Sequence, residues 1–158
     1  MKRFAALPAM LAVAACSTAA EWQPVLPADV AGLPDYALRA DRPDFHLSAT
    51  ADYDGDGRPD RAELRHHARQ HRYALFVHLA DGHELLLAEG DAAELPRIGV
   101  ANVPGGRYRP LCREKAKREN CLADLTLPNT GIALFTFESA SRVFYWTAGA
   151  FASAWMSD

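Results

Sequence analysis

The sequence predicts a small, mainly β domain with antiparallel strands, meander- or sandwich-like. Three observations carry that expectation. "DFHLSATADY" alternates, with Phe45, Leu47, Ala49 and Ala51 on one face, which is the period of a half-buried strand. "YALFVHLADGHELLLAEG" holds two apolar runs separated by Ala80-Asp81-Gly82-His83, a hairpin signal. "TGIALFTF", "SRVFYW" and "FASAWMS" then read as a closing three-stranded meander, the last two joined through "TAGA".

The remaining segments follow in order. The first, "MKRFAALPAMLAVAACSTAA", opens with Lys2 and Arg3 and continues in an apolar stretch, Phe4 to Ala15, that is too short for a membrane-spanning helix. It ends in "VAAC", which resembles the lipobox of bacterial lipoprotein signal peptides. That resemblance implies a signal peptide over 1–15 and acylation of Cys16. Ser17, not an aspartate, follows the cysteine, so the expected home is the cell envelope, lipid-anchored at the outer membrane and facing the periplasm. From 16 to 41 the chain is rich in Ala and Pro and is expected to act as a tether, with one helical turn near Asp29 to Ala37. The β-domain is expected over 42–158. "RIGVANV" is a short strand before the "PGG" turn. "RAELRHHARQHRY" lacks a broad apolar stripe. It is expected as a strand with Ala62 and Leu64 inward and Arg61, Glu63 and Arg65 outward, leading into a polar turn that holds His66, His67 and His71.

Charge excludes one class of partner. Removing Lys2 and Arg3 from the 17 Lys+Arg leaves 15 against 20 Asp+Glu, an acidic balance that gives no reason to expect nucleic acid. About 140 mature residues make one domain with a modest core. Cys112 and Cys121 are the remaining cysteines. In an oxidising compartment they are expected to pair, because "CREKAKRENC" is too polar for buried thiols and contains no histidine to complete a zinc site. The short loop limits the entropic gain to roughly 2.5–3 kcal/mol.

"DYDGDGRPDRAEL" is the segment richest in chemistry. Asp52, Asp54 and Asp56 take positions one, three and five of a loop, Gly57 the sharp sixth, and Arg58 offers a backbone carbonyl at seven. Asp60 stands at nine and Glu63 at twelve. This is the order of hard oxygen donors in a calcium loop. Carboxylates crowded into one loop repel one another, and a divalent cation removes that cost. Pro59 at position eight has no amide to pair with a second loop, and no second acidic loop exists in the sequence. "ATADYDGDGRPDRAEL", followed by a strand and "LADG", resembles a single FG-GAP (VCBS-type) repeat, a strand–calcium loop–strand unit of propeller blades. The resemblance covers about residues 47 to 82. It implies Ca²⁺ held by the Asp52, Asp54, Asp56 and Asp60 side chains and the Arg58 carbonyl. It leaves Glu63 open, since a strand carries that side chain away from the ion. One loop is too few for a propeller, so a single blade-like unit within a small β-domain is expected.

Other clusters offer less. No glycine-flanked nucleophile accompanies Ser139 and Ser141 near Glu138, and no catalytic triad is visible. The basic residues Arg107, Arg109, Arg113, Lys115, Lys117 and Arg118 read as a solvated loop. Phe144, Tyr145, Trp146, Phe151 and Trp155 read as core of the closing hairpin. The expected function is therefore non-enzymatic: a lipid-anchored, calcium-stabilised envelope protein that binds an envelope protein or polysaccharide. The alternative is a small accessory or inhibitor lipoprotein acting on a cell-envelope hydrolase. The anchor is directly testable. Cys16→Ser should abolish metabolic labelling by a clickable fatty acid and release the protein from membranes; unchanged labelling refutes the lipobox reading.

Overall fold

The computed structural model describes residues 21–31, 44–67, 69–110, 124–137, 139 and 141–156. Cys16, Cys112 and Cys121, and with them the signal peptide and the expected disulfide, lie outside the described residues. The architecture is mainly β and antiparallel, as the alternation predicts. Among the described residues, eleven strands run in chain order: β1 (Trp22–Pro24), β2 (Ser48–Ala51), β3 (Asp60–His67), β4 (Arg72–His78), β5 (Glu84–Asp91), β6 (Ile98–Val103), β7 (Gly106–Tyr108), β8 (Leu125–Leu127), β9 (Gly131–Thr136), β10 (Ser141–Thr147) and β11 (Ala150–Met156). One helical turn, α1 (Pro27–Val30), follows β1, and a 3₁₀ segment, Ala92–Arg97, joins β5 to β6.

A five-stranded sheet is ordered β1-β3-β4-β5, with β2 also paired to β3. β1 and β2 lie end to end along one edge of β3. β2 pairs with its first half, Ser48 opposite Glu63 and Ala51 opposite Asp60. β1 pairs with its second half, Trp22 opposite His67 and Pro24 opposite Arg65. A second sheet is ordered β11-β10-β9-β6, and β7 and β8 form a separate two-stranded ribbon.

The core lies between the two larger sheets. Ala62, Leu64, Leu75 and Val77 from the first meet Ile98, Val100, Ile132, Leu134 and Phe144 from the second. A smaller cluster, Leu125, Leu127, Ala133 and Val143, lies between the second sheet and the ribbon. β9 therefore buries both faces, which explains why "GIALF" is continuously apolar instead of alternating. β4 is also buried without a break from Tyr73 to Val77, for a different reason. Its outward Phe76 is covered by the Trp22 ring, 5.6 Å away and edge-on, and by the Arg65 guanidinium, 4.7 Å above the ring centre.

The expected tether over 16–41 is corrected across 22–31, which belongs to the domain. Val25 and Val30 are core residues, and the Val25 amide donates to the Leu64 carbonyl at 3.0 Å. Pro24 is tolerated because β1 is an edge strand. Pro27 opens α1, where its missing N–H has no helical partner to lose. Two further expectations are refined. Phe45 does not continue the β2 alternation, because His46 adopts φ 63° and turns the chain just before the strand. His66 and His67 are not in a turn but complete β3.

The two main hairpins close differently. Between β4 and β5, the Gly82 amide donates to the Leu79 carbonyl at 2.9 Å, with Gly82 at φ 97°. Between β10 and β11, Thr147 faces Ala150, and the two connecting residues both have positive φ, Ala148 at 50° and Gly149 at 81°. That is the pattern of a type I′ turn, which favours Asn-Gly because an alanine Cβ is strained there. Ala148→Asn should stabilise the fold by about 1 kcal/mol and raise Tm by roughly 3–6 °C in a thermal melt. An unchanged or lowered Tm would contradict the strain assigned to Ala148.

Candidate metal centre

The acidic loop, residues 52–59, connects β2 to β3. Its path is set by its own carboxylates and by two left-handed glycines, Gly55 at φ 83° and Gly57 at φ 85°. Asp52 accepts from the amides of Gly55 at 2.7 Å and Gly57 at 2.9 Å, wrapping the chain around its head. Asp54 Oδ1 accepts the Asp56 amide at 3.0 Å. These are the side-chain-to-backbone turns for which Asp is suited. A Cβ on Gly55 would meet Asn129 Nδ2 at 2.5 Å, so the loop rests against the β8–β9 connection, where another residue would displace the Asn129 side chain and strain the backbone at φ 83°.

Two residues fasten the loop to the body. Tyr53 is fully buried, and its hydroxyl donates to Asn102 Oδ1 at 2.8 Å on β6. Asn102 in turn donates to the Thr50 carbonyl at 3.0 Å. Burial, with the nearby Asp60 charge, pushes the Tyr53 phenol well above its ordinary value. Asp60 is only 1% exposed. Its Oδ2 accepts the Tyr53 amide at 2.8 Å and its Oδ1 accepts the Ala80 amide at 2.9 Å. One carboxylate thus ties the acidic loop to the β4–β5 hairpin.

Asp52, Asp54 and Asp60 each place a carboxylate oxygen within 4.8 Å of the other two, the arrangement from which a metal ion can be held. Burial raises the pKa of the Asp54 carboxyl, and the charges of Asp60, Asp56 and Asp52 add to that rise, against the Asp56 amide. The donor set contains hard oxygens and no sulfur or imidazole, which suits calcium or magnesium rather than a soft transition metal. Each carboxylate keeps lone pairs beyond its amide bonds. The residues therefore fit a hard divalent cation, with coordination completed by carbonyl or water oxygens.

Asp56 and Glu63, both singled out from the sequence, are not brought into this group. Asp56 faces Arg58: its Oδ1 accepts the Arg58 amide at 2.8 Å, and its Oδ2 accepts from the guanidinium at 2.8 and 2.6 Å. That bond holds the Asp56 carboxyl below the usual carboxylate range. Glu63 lies on β3 with its side chain on the outer face, where the sequence predicted it, yet it is buried. Arg61 Nε and Arg65 Nε each donate to it at 2.8 Å, and His78 Nε2 lies 3.3 Å away. Arg65 Nη1 continues the network to Glu84 at 3.0 Å.

The sequence reading missed Tyr53, Asn102 and Asn129 as supports of the loop. An apolar ring alternating with acidic residues was the available signal for Tyr53; the asparagines gave none. His67, expected in solvent, is buried beside Trp22, with rings edge-on at 5.1 Å, and its Nε2 lies 3.2 Å from Glu21. Among the described residues, the histidines form no group of three or more with metal-holding geometry. Comparison with known proteins returned no matching family, no matching curated protein and no matching solved structure.

The Glu63 network predicts an acid limb of stability. Burial alone would raise the Glu63 pKa, but the bonds from Arg61 and Arg65 outweigh it and hold the carboxyl below its ordinary value. A carboxyl depressed in the fold contributes stability above its unfolded value, which is lost as pH falls through the folded value. Glu63→Gln should therefore cost about 1–3 kcal/mol at neutral pH. Its Tm should also fall less than that of the wild type between about pH 5 and pH 3. Parallel Tm–pH curves for the two proteins would refute this assignment.

Proposed function

We propose that this chain is a lipid-anchored envelope protein whose β-domain is stabilised by one calcium ion and serves to bind another envelope component, without catalysis. One observation carries the metal part: the convergence of Asp52, Asp54 and Asp60 on a loop between two antiparallel strands. The strand–loop–strand arrangement also supports the likeness to an FG-GAP repeat, because β3 carries Glu63 into an arginine network and away from the loop. The "VAAC" sequence supports the anchor. Calcium is favoured over magnesium because three carboxylates on a glycine-bearing loop suit a larger ion with variable coordination, whereas magnesium demands a tight octahedron.

An extracytoplasmic site works with weak affinity, with dissociation constants of about 10⁻⁴–10⁻³ M. An ion that binds only the folded chain stabilises it by mass action, by roughly 2.7 kcal/mol at about one hundred times its dissociation constant. Calcium should therefore raise Tm, magnesium less so, and chelator should reverse the gain. Asp54→Ala should remove most of the calcium response, whereas Glu63→Ala should lower Tm yet leave the response intact. A wild-type Tm indifferent to calcium and to chelator would end the metal reading.

A further inference from the structure

Between the β4–β5 hairpin and the β10–β11 hairpin lies a cleft of about 550 Å³. Leu79, Leu85 and Leu87 line one side of it, and Trp146 and Phe151 another. The two aromatics are a cross-strand pair, edge-on at 5.0 Å. The polar lining comes from Asp54 on the acidic loop and from Asp81 and His83 on the β4–β5 turn. No lysine or arginine lines the cleft among the described residues. The volume falls within the range of small-molecule sites, and the lining has their usual character, mostly apolar with a few convergent polar groups.

The polar groups are unequal in sign. Asp81 accepts the His83 amide at 2.9 Å and lies 2.8 Å from His83 Nδ1. Those bonds hold its carboxyl below the ordinary range, so it remains charged at neutral pH. Asp54 adds a second carboxylate. An anion entering the cleft would meet both charges. A neutral polyol would desolvate two carboxylates without neutralising either. A cation on an apolar stem satisfies both walls: its charge meets the carboxylates, and its stem displaces water from the leucines, Trp146 and Phe151.

We propose that this cleft binds a primary ammonium group carried on a short aliphatic stem. The assignment goes beyond the calcium reading and does not require it, because Asp81, Trp146 and Phe151 take no part in the loop's carboxylate group. Two sources present this chemistry, a free alkylamine and the lysine side chain of a partner protein.

The test is calorimetric titration of the full-length protein in chelator, with hexylammonium, hexanol, hexanoate, methyl glucoside and a blocked lysine (N-acetyl-lysine methylamide). Hexylammonium should bind with a dissociation constant of about 10⁻⁴–10⁻³ M, and hexanoate should not bind. Asp81→Asn should weaken hexylammonium about tenfold, whereas Asp124→Asn, an exposed carboxylate beside Arg107 that lines no part of the cleft, should change it less than about twofold. Circular dichroism confirms that both variants fold. Blocked lysine binding as tightly as hexylammonium would assign the ammonium to a protein side chain; weaker binding would assign it to a free amine. Hexanol binding as well as hexylammonium would reduce the cleft to an apolar groove. Methyl glucoside binding alone would make it a saccharide site. Equal losses in Asp81→Asn and Asp124→Asn would mark diffuse surface charge, and no binding at about 10 mM would leave no site. Each of these four results overturns the proposal. Because chelator is present throughout, failure of the calcium prediction leaves this result unaffected.

Discussion

The Asp60 carboxylate is the constraint on which the rest of this structure depends. It is almost wholly buried, at the first position of β3, and receives one amide from the acidic loop and one from the β4–β5 turn. Burying a carboxylate is costly unless its charge is met. Among the described residues its partners are two backbone amides, with no basic side chain in an ion pair. Amide dipoles offset part of that cost. A cation beside Asp52 and Asp54 would offset much of the remainder, which gives a physical reason for acidic side chains to converge at this point.

The same carboxylate explains how a small surface loop is joined to the core. Asp60 and Tyr53 are both buried and joined by the hydrogen bond that the Tyr53 amide donates to the Asp60 carboxylate. Through Tyr53 and Asn102 the loop reaches β6 of the second sheet, and through Gly55 it rests on Asn129 beside β9. The loop therefore contacts both sheets of the sandwich as well as the hairpin beyond them. An ion that fixes the loop stabilises those contacts together, so its effect is expected on global unfolding rather than on local fraying alone.

Much of this was legible in the sequence because it rests on periodicity. The closing meander, the β4–β5 hairpin and the strand after the loop all follow from apolar spacing and turn residues. Most of the failures come from contacts between residues distant in the chain. Trp22–Pro24 is too short, and too near two prolines, to read as a strand; only the edge of β3 makes it one. Glu63 read as solvent-facing by alternation and His67 as part of a polar turn, yet both lie buried on the outer face of β3, beside Phe76 and Trp22. Asp56 is the local exception: it fitted the ligand spacing, but Arg58 two residues on occupies both its oxygens, Oδ1 through the backbone amide and Oδ2 through the guanidinium. Spacing identifies which side chains are candidates, and local competition decides which are free to converge.

Asp54 lies where the two proposed sites meet. It belongs to the loop's carboxylate group and it also lines the cleft. A cation bound on one side lowers the negative potential felt on the other, so calcium in the loop and an ammonium in the cleft would oppose each other through that shared charge. Such coupling is reciprocal, since whatever factor calcium imposes on the amine, the amine must impose on calcium. Asp81 supplies charge to the cleft from outside the carboxylate group, so the antagonism would be partial. The two occupancies would then compete by degree, with calcium concentration in the compartment setting the balance.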